Sequence, residues 1–185
     1  GFVIITLICM TILSISSVLS HNSFREQVEE DMQVIAKQVS EKLVADIETT
    51  EKVIEDLAAN PMLSDARYTN EEVVNFFEKR AEEMGFKLFF TVAETGKGVN
   101  LTHAAETFDV SNTEYFKHAI KGETYTSAII DDVVTGEKIM IIATPYYEQG
   151  TNKMLGVFAG LTSTDFISKI CSDFKWGESG SIAVY

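Results

Sequence analysis

An uncharged apolar run at the start of the chain limits its fold most strongly. The segment from Phe2 to Leu19 contains no charged residue, no proline and no glycine. A helix of this length would be about 27 Å long, close to the thickness of the hydrocarbon core of a bilayer. We therefore predict a transmembrane helix at residues 1–20. A cleaved signal peptide and a buried soluble helix are the alternatives, the former because Val18-Leu19-Ser20 loosely resembles a cleavage site.

The charge of the chain indicates what it contacts and where it lies. With 28 acidic and 15 basic side chains among 185 residues, the formal net charge is −13. Such acidity argues against nucleic acid as a partner, because phosphates require a basic surface. The residues after the apolar run carry few lysines or arginines, and by the positive-inside rule they are expected outside the cytoplasm. We predict a protein of the cell membrane whose globular part is extracytoplasmic.

Residues 21–60 are predicted to form one long amphipathic helix that leaves the membrane. They contain no proline or glycine, and small or apolar residues recur from Val28 to Leu57 with a period of about 3.6, that of a straight α-helix. The segment holds ten acidic and four basic residues, which is typical of a solvated helix face. Pro61 should end the helix, because proline disfavours the α conformation at Asn60.

A second helix is predicted by its two ends. Thr69-Asn70-Glu71-Glu72 fits a capping box, in which the side chains of the first and last residue bond each other's backbone amides. An apolar face follows, and Gly85 provides a C-terminal stop.

The pattern after Gly85 is that of β-strands separated by glycine-containing turns. Sequential hairpins predict an antiparallel sheet, so the fold class is α+β. The predicted strands are Phe86 to Val92, Val99 to His103, Thr124 to Val134, Lys138 to Tyr147, Met154 to Thr162 and Ser181 to Tyr185, with a short helix from Phe166 to Phe174.

The order of these elements, together with four local patterns, resembles the double Cache family of bacterial extracytoplasmic sensor domains. The patterns are Asp109 to Phe116, Ala119 to Tyr125, Thr135-Gly136 ahead of Ala143-Thr144-Pro145-Tyr146, and Leu155-Gly156-Val157 with Gly160. The resemblance implies PAS-like sheets on a long membrane-emergent helix. Residues 61–176 would form the membrane-distal Cache module, and residues 177–185 would begin a second module, truncated here.

The resemblance implies a ligand-sensing domain of a transmembrane receptor of the chemoreceptor type. The ligand would bias the position of the long helix. Two alternatives remain: the sensor half of a membrane histidine kinase or diguanylate cyclase, and a membrane-tethered binding or interaction domain without signalling output. No catalytic residue, metal site or cofactor is predicted. The predicted partner is a small molecule or a periplasmic or extracellular protein, and a homodimer is compatible with the helix period.

Six residues are candidates for a ligand pocket, five from the resemblance and Asp131 from its place after a strand. Tyr115 and Phe116 match an aromatic pair of the family but would serve equally as core residues. His118, Tyr125 and Ser127 match pocket-lining places, although a histidine there could simply lie on the surface. Asp131 follows a strand and could face a ligand amine, or it could be one of a solvated acidic pair before a hairpin. The six predicted ligand-binding residues are Tyr115, Phe116, His118, Tyr125, Ser127 and Asp131.

Two positions depart from the amino-acid-binding members of the family. Those members usually carry an arginine before the aromatic pair, which clamps the ligand carboxylate, and an aspartate that pairs the ligand amine. Thr113 and Leu161 occupy the matching positions here. We therefore predict that this chain does not bind an α-amino acid through an arginine and aspartate pair.

Overall fold

The computed structural model describes residues 31–131, 136–164, 175–176 and 180–181. Within these ranges, no helix is both long and apolar enough to cross a membrane. Several predicted elements lie outside the described residues. They are the span at residues 1–20, residues 21–30 of the long helix, the short helix from Phe166 to Phe174 and residues 182–185 of the last strand.

The first described helix, α1, covers residues 31–58. Its end follows from the chemistry of Pro61, as predicted: Asn60 is extended, with φ −66° and ψ 127°, and Pro61 opens a short 3₁₀ turn, Pro61–Leu63. The Asn60 side chain accepts a hydrogen bond of 2.9 Å from the Met62 amide, so it caps that turn. The chain therefore changes direction directly after α1.

Helix α2, Asn70–Met84, has the predicted capping box. The Thr69 amide donates to Glu72 at 2.8 Å, and the Glu72 amide donates to the Thr69 hydroxyl at 3.3 Å. The hydrogen bonds from Thr69 hold the pKa of Glu72 below its usual value. Gly85 ends the helix with φ +76°, a left-handed conformation that glycine adopts without steric penalty.

Seven strands form one antiparallel sheet, which confirms the α+β class, and two short strands form a separate pair. The sheet contains β1 Phe86–Val92, β2 Lys97–Asn100, β3 Thr107–Asp109, β4 Tyr125–Thr126, β5 Ile130–Asp131, β6 Lys138–Tyr147 and β7 Met154–Ser163; the pair is β8 Lys175–Trp176 and β9 Gly180–Ser181. Helix α3, Glu114–Ala119, lies between β3 and β4 in the chain.

The strand order is β3-β2-β1-β7-β6-β4, with β5 also paired to β6. The contact between β1 and β7 joins the two halves of the sheet and connects residues about 70 positions apart, such as Phe90 and Ala159. Consecutive hairpins account for most of the other pairings, as expected from the sequence.

The structure differs from the sequence prediction around the shorter strands. Strand β2 begins at Lys97, because the turn closes earlier, with the Gly96 amide donating to the Ala93 carbonyl at 2.8 Å. In place of the long strand predicted from Thr124 to Val134, the described residues up to Asp131 form two short strands, β4 and β5, and residues 132–134 of the prediction lie outside the described residues. Helix α3 and strand β3 were not predicted.

The sheet has two apolar faces, each with its own core. The helix face packs against α1 and α2, and its core includes Ile54, Phe77, Phe89, Ile142 and Phe158. The opposite face, here called the pocket face, is covered by α3 and the segment around β3. Since side chains alternate along a strand, the consecutive apolar residues of β1, β6 and β7 supply both cores.

Candidate ligand-binding site

A cavity of about 410 Å³ opens on the pocket face of the sheet. Its floor is a row across the three central strands: Leu161 pairs with Leu88 of β1 on one side and with Ile141 of β6 on the other. Antiparallel partners place their side chains on the same face, so the three form a continuous apolar surface.

Aromatic and aliphatic side chains form the walls of this cavity. Phe90 rises from β1, Phe108 and Val110 come from β3 and the residue after it, and Tyr115 comes from α3. The Phe90 and Phe108 rings meet edge to face, with centroids 5.2 Å apart. Phe108 lies so close to β2 that a Cβ on Gly98 would be 2.4 Å from its ring, so this wall requires a glycine there.

Three polar residues, Lys87, Asn100 and Glu106, complete the lining. Lys87 lies where the pairing of β1 with β7 shifts register, and its ammonium group forms an ion pair with Glu137. The Asn100 side chain donates to the Glu106 carboxylate at 3.4 Å. The cavity therefore offers an apolar body with a few polar groups, an arrangement common in small-molecule sites.

Of the six predicted ligand-binding residues, Tyr115 lines this cavity. Burial raises the pKa of its phenol group, while a hydrogen bond with Thr113 acts in the opposite direction. Phe116 is 6% exposed and belongs to the core of the pocket face without lining the cavity.

His118 and Tyr125 come together beside the cavity. Their rings stack with centroids 4.4 Å apart and an interplanar angle of 11°. The Nδ1 atom of His118 lies 2.7 Å from a Glu123 carboxylate oxygen, and this hydrogen bond lowers the pKa of Glu123. The pair thus joins α3 to β4.

Ser127 and Asp131 make contacts with other residues. The Ser127 hydroxyl accepts a hydrogen bond of 3.0 Å from the Ile141 amide and donates to the Ala128 carbonyl at 2.7 Å, so it extends the pairing of β4 with β6. Asp131 is exposed and forms a salt bridge of 2.6 Å with Lys138. The ligand-binding roles of all six residues stay predictions.

Sequence reasoning missed most of the lining. The floor could have been found from alternation, because Leu88 and Phe90 on one strand, and Leu161 on another, are spaced for a single face. Asn100 and Glu106 carry no such signal, since they are ordinary polar residues flanking a turn. Leu161, singled out as the position of a missing aspartate, lies at the centre of the floor.

Thr113 occupies the other position that departs from the amino-acid-binding members, and its side chain is hydrogen-bonded to the backbone. Its hydroxyl donates to the Val110 carbonyl at 2.8 Å.

Across the part of the chain that the structure describes, no group of three or more histidine, cysteine or acidic side chains is placed to hold a metal ion.

The family model described as "Cache domain" (dCache_1) matches residues 20–185. This chain belongs to the Cache domain family. Cache domains are extracytoplasmic sensor domains that bind ligands rather than catalyse reactions, so membership assigns this chain a sensor role. No curated protein sequence matches the chain significantly.

Several solved structures with the same fold are ligand-binding domains of chemoreceptors. The domain of Pseudomonas fluorescens CtaA, in complex with L-isoleucine, is 19% identical with a TM-score of 0.62; the match covers 83% of this chain and 64% of that one. The domain of Campylobacter jejuni Tlp3, in complex with 4-methylisoleucine, is 14% identical with a TM-score of 0.60, covering 80% and 63%.

The Pseudomonas aeruginosa amino acid chemoreceptor PctC, whose domain is in complex with GABA, is 17% identical with a TM-score of 0.59, covering 75% and 62%. The match thus spans less than two thirds of each of these three domains. At these identities, the similarity establishes the fold.

Proposed function

We propose that this Cache domain is the ligand-sensing part of a bacterial transmembrane receptor of the chemoreceptor type, and that its ligand is a small molecule bound over Leu161. The cavity of about 410 Å³ carries this proposal, because its size and apolar lining suit a small ligand. The apolar segment at residues 1–20 would anchor the domain in the membrane.

The lining suggests the chemistry of the ligand. Leu88, Ile141 and Leu161 would contact an apolar body, and the polar residues would meet a single polar group. A charged amine over Leu161 would lose water without gaining a counter-charge from that residue, which is unfavourable. We therefore propose a ligand with an apolar skeleton and one polar group, without the amine of an α-amino acid.

Signalling would be a shift in the population of long-helix positions. A ligand can shift such an equilibrium only by binding one arrangement of the domain more tightly than another. Helix α1 packs directly on the sheet that forms the floor, so the two are mechanically connected. A flexible glycine segment inserted near Asn22 is expected to uncouple the signal from the ligand.

Three compounds with one carbon skeleton test the ligand chemistry. L-Leucine, 4-methylpentanoate and 4-methylpentanamide differ only in their polar groups. A ligand at 100 times its Kd stabilises a protein by about 2.7 kcal/mol, which would raise the Tm by about 5–10 °C for a chain of this size. We expect 4-methylpentanoate or 4-methylpentanamide to raise the Tm more than L-leucine does.

Variants of Leu161 provide the matched control. Leu161→Asp should remove the shift produced by 4-methylpentanoate, because like charges and a polar floor both oppose binding. Leu161→Asn introduces similar polarity without the charge and should retain part of the shift. A larger shift with L-leucine would overturn the proposed ligand class, and no shift with any small apolar compound would overturn the proposed binding site.

A further inference from the structure

Strand β4 lies at the edge of the sheet and contacts both of its faces. Tyr125 packs against the core of the pocket face, whereas its neighbours Thr124 and Thr126 reach the long helix α1 on the other side. Side chains alternate along an extended chain, so one short strand can touch structures on opposite faces.

Two short hydrogen bonds join this strand to α1. The Thr126 hydroxyl donates to the Glu51 carboxylate at 2.6 Å, and the Thr124 hydroxyl donates to the Glu55 carboxylate, also at 2.6 Å. Hydrogen bonds to charged acceptors are stronger than those between neutral groups.

The spacing of the two glutamates along the helix matches the spacing of the two threonines along the extended chain. Four residues of helix advance by about 6 Å, and two residues of strand advance by about 6.6 Å. Glu51 and Glu55 therefore repeat along α1 at nearly the same distance as Thr124 and Thr126 along the chain of β4. Sliding the helix by one residue would break both hydrogen bonds, so they specify its axial position.

The hydrogen bond between Thr124 and Glu55 continues into the core of the sheet through Thr144. The hydroxyls of Thr124 and Thr144 lie 2.9 Å apart, and Thr144, on β6, is 3% exposed. A hydroxyl has one proton, so while Thr124 donates to Glu55, Thr144 must donate to Thr124. The buried Thr144 hydroxyl is thereby hydrogen-bonded to the residue that precedes β4, and that residue is in turn held by the helix.

The other side of β4 connects to the ligand pocket. Tyr125 stacks on His118 of α3, and the same helix carries Tyr115 in the pocket wall. A change in the position of that wall would move α3, and α3 meets β4 through the stacked rings. A continuous set of contacts therefore runs from the pocket to α1 around the edge of the sheet.

Open space beside these hydrogen bonds leaves room for the bonded groups to move apart. A second cavity, of about 440 Å³, lies between the end of α1 and β6, with Glu55, Thr124 and Thr144 in its lining. Movement of β4 relative to α1 is therefore not opposed by close packing on that side.

We propose that β4, through Glu51 and Glu55, transmits the state of the ligand pocket to the long helix, an inference that rests on the proposed sensor function. Glu51 and Glu55 are then positioning residues that select one axial position of α1. The apolar contacts of α1 with the sheet hold the helix against it, but they do not specify position as sharply, because dispersion contacts are not directional.

Hydrogen exchange tests this proposal without a ligand. In the full 185-residue chain, Leu161→Phe fills part of the pocket from its floor and replaces the ligand as the perturbation. We expect the exchange rates of amides in residues 47–58 to change by about threefold or more, because native-state hydrogen exchange reports the free energy of local opening. The double variant Glu51→Ala/Glu55→Ala should abolish that change.

A matched double variant controls for charge and helix propensity. Glu48→Ala/Asp56→Ala removes two carboxylates from exposed positions of α1, and neither side chain makes a hydrogen bond with the described residues. The effect of Leu161→Phe should persist in this background. Should Leu161→Phe fail to fold, Val110→Phe fills the same pocket from its wall and takes its place.

Three results would overturn the proposal. These are an unchanged exchange rate in the pocket-filled chain, a change that survives Glu51→Ala/Glu55→Ala, and a change that the control pair abolishes as well. The proposal is supported if the change in exchange rate is lost in the Glu51→Ala/Glu55→Ala background and kept in the control background. Because no small molecule is present, a failure of the thermal-shift experiment on ligand class is distinguishable from a failure of this one.

Discussion

Replacing Gly160 with alanine should force α1 away from the sheet. Gly160 lies on β7 between Phe89 and Ile142, on the helix face. A Cβ atom there would lie 2.6 Å from Cδ1 of Ile54 and 2.8 Å from the ring of Phe86. Ile54 is fully buried, so its side chain has little free space into which to move. The close approach of helix and sheet therefore depends on the missing side chain.

The expected effect is the balance of two opposing contributions. Overpacking a well-filled core costs about 1–3 kcal/mol. Replacing glycine by alanine also restricts the unfolded chain, which stabilises the protein by about 0.4–1 kcal/mol where the backbone is compatible. We therefore expect Gly160→Ala to lower the free energy of unfolding by about 1–2 kcal/mol.

A double-mutant cycle with Ile54→Val identifies the cause. This change removes Cδ1, the atom in closest conflict with the new Cβ. Alone it should cost about 0.5–1.5 kcal/mol, but in the Gly160→Ala background it should cost less or stabilise the chain. Urea unfolding of the four proteins, with unchanged m-values, measures these differences.

The reasoning would be refuted if Gly160→Ala proved as stable as the parent chain. It would also fail if Ile54→Val had the same effect in both backgrounds. In either case, the helix does not rest on the sheet at the distance described.

Three further predictions concern a helix cap, a buried aromatic residue and a carboxylate with a lowered pKa. Thr69→Ala should lower stability by about 1 kcal/mol, measured by urea unfolding, because it removes the α2 cap. Phe116→Ala should cost about 3–4 kcal/mol in the same assay, since its ring lies in the core of the pocket face; a loss below about 1 kcal/mol would contradict that placement. Hydrogen bonds from Lys97 and Ser111 depress the pKa of Asp109, so its carboxylate stabilises the fold at neutral pH and this contribution is lost as the pH falls below about 4. The Tm of Asp109→Asn should therefore fall less steeply between pH 6 and pH 3 than that of the parent chain.

Features that depend on neighbouring residues were predictable. The capping box at Thr69, the stop at Gly85 and the helix end before Pro61 each arise from hydrogen bonds or steric contacts within a few residues. Strands β1, β6 and β7 were predicted because they are long and rich in β-branched or aromatic residues. Together with the family patterns, these features also supported the sensor interpretation.

Helix α3 was not predictable from the same signals. It has six residues and no side-chain cap, so its own hydrogen bonds stabilise it weakly. Tyr115, Phe116 and Ala119 are all buried against the sheet, and this tertiary packing holds the helix in place. Strand β3, with three residues, likewise forms only where β2 offers an edge.

The sequence alone therefore determined the long helices and strands, the boundaries set by local signals, and the family. The tertiary structure decided which residues form the pocket, because its floor combines Leu88, Ile141 and Leu161 from three strands. It also brought Glu51 and Glu55 against β4, about 70 residues further along the chain. The physical reason is that local signals act over one or two turns, whereas these contacts form only when β1 pairs with β7 and α1 packs across the finished sheet.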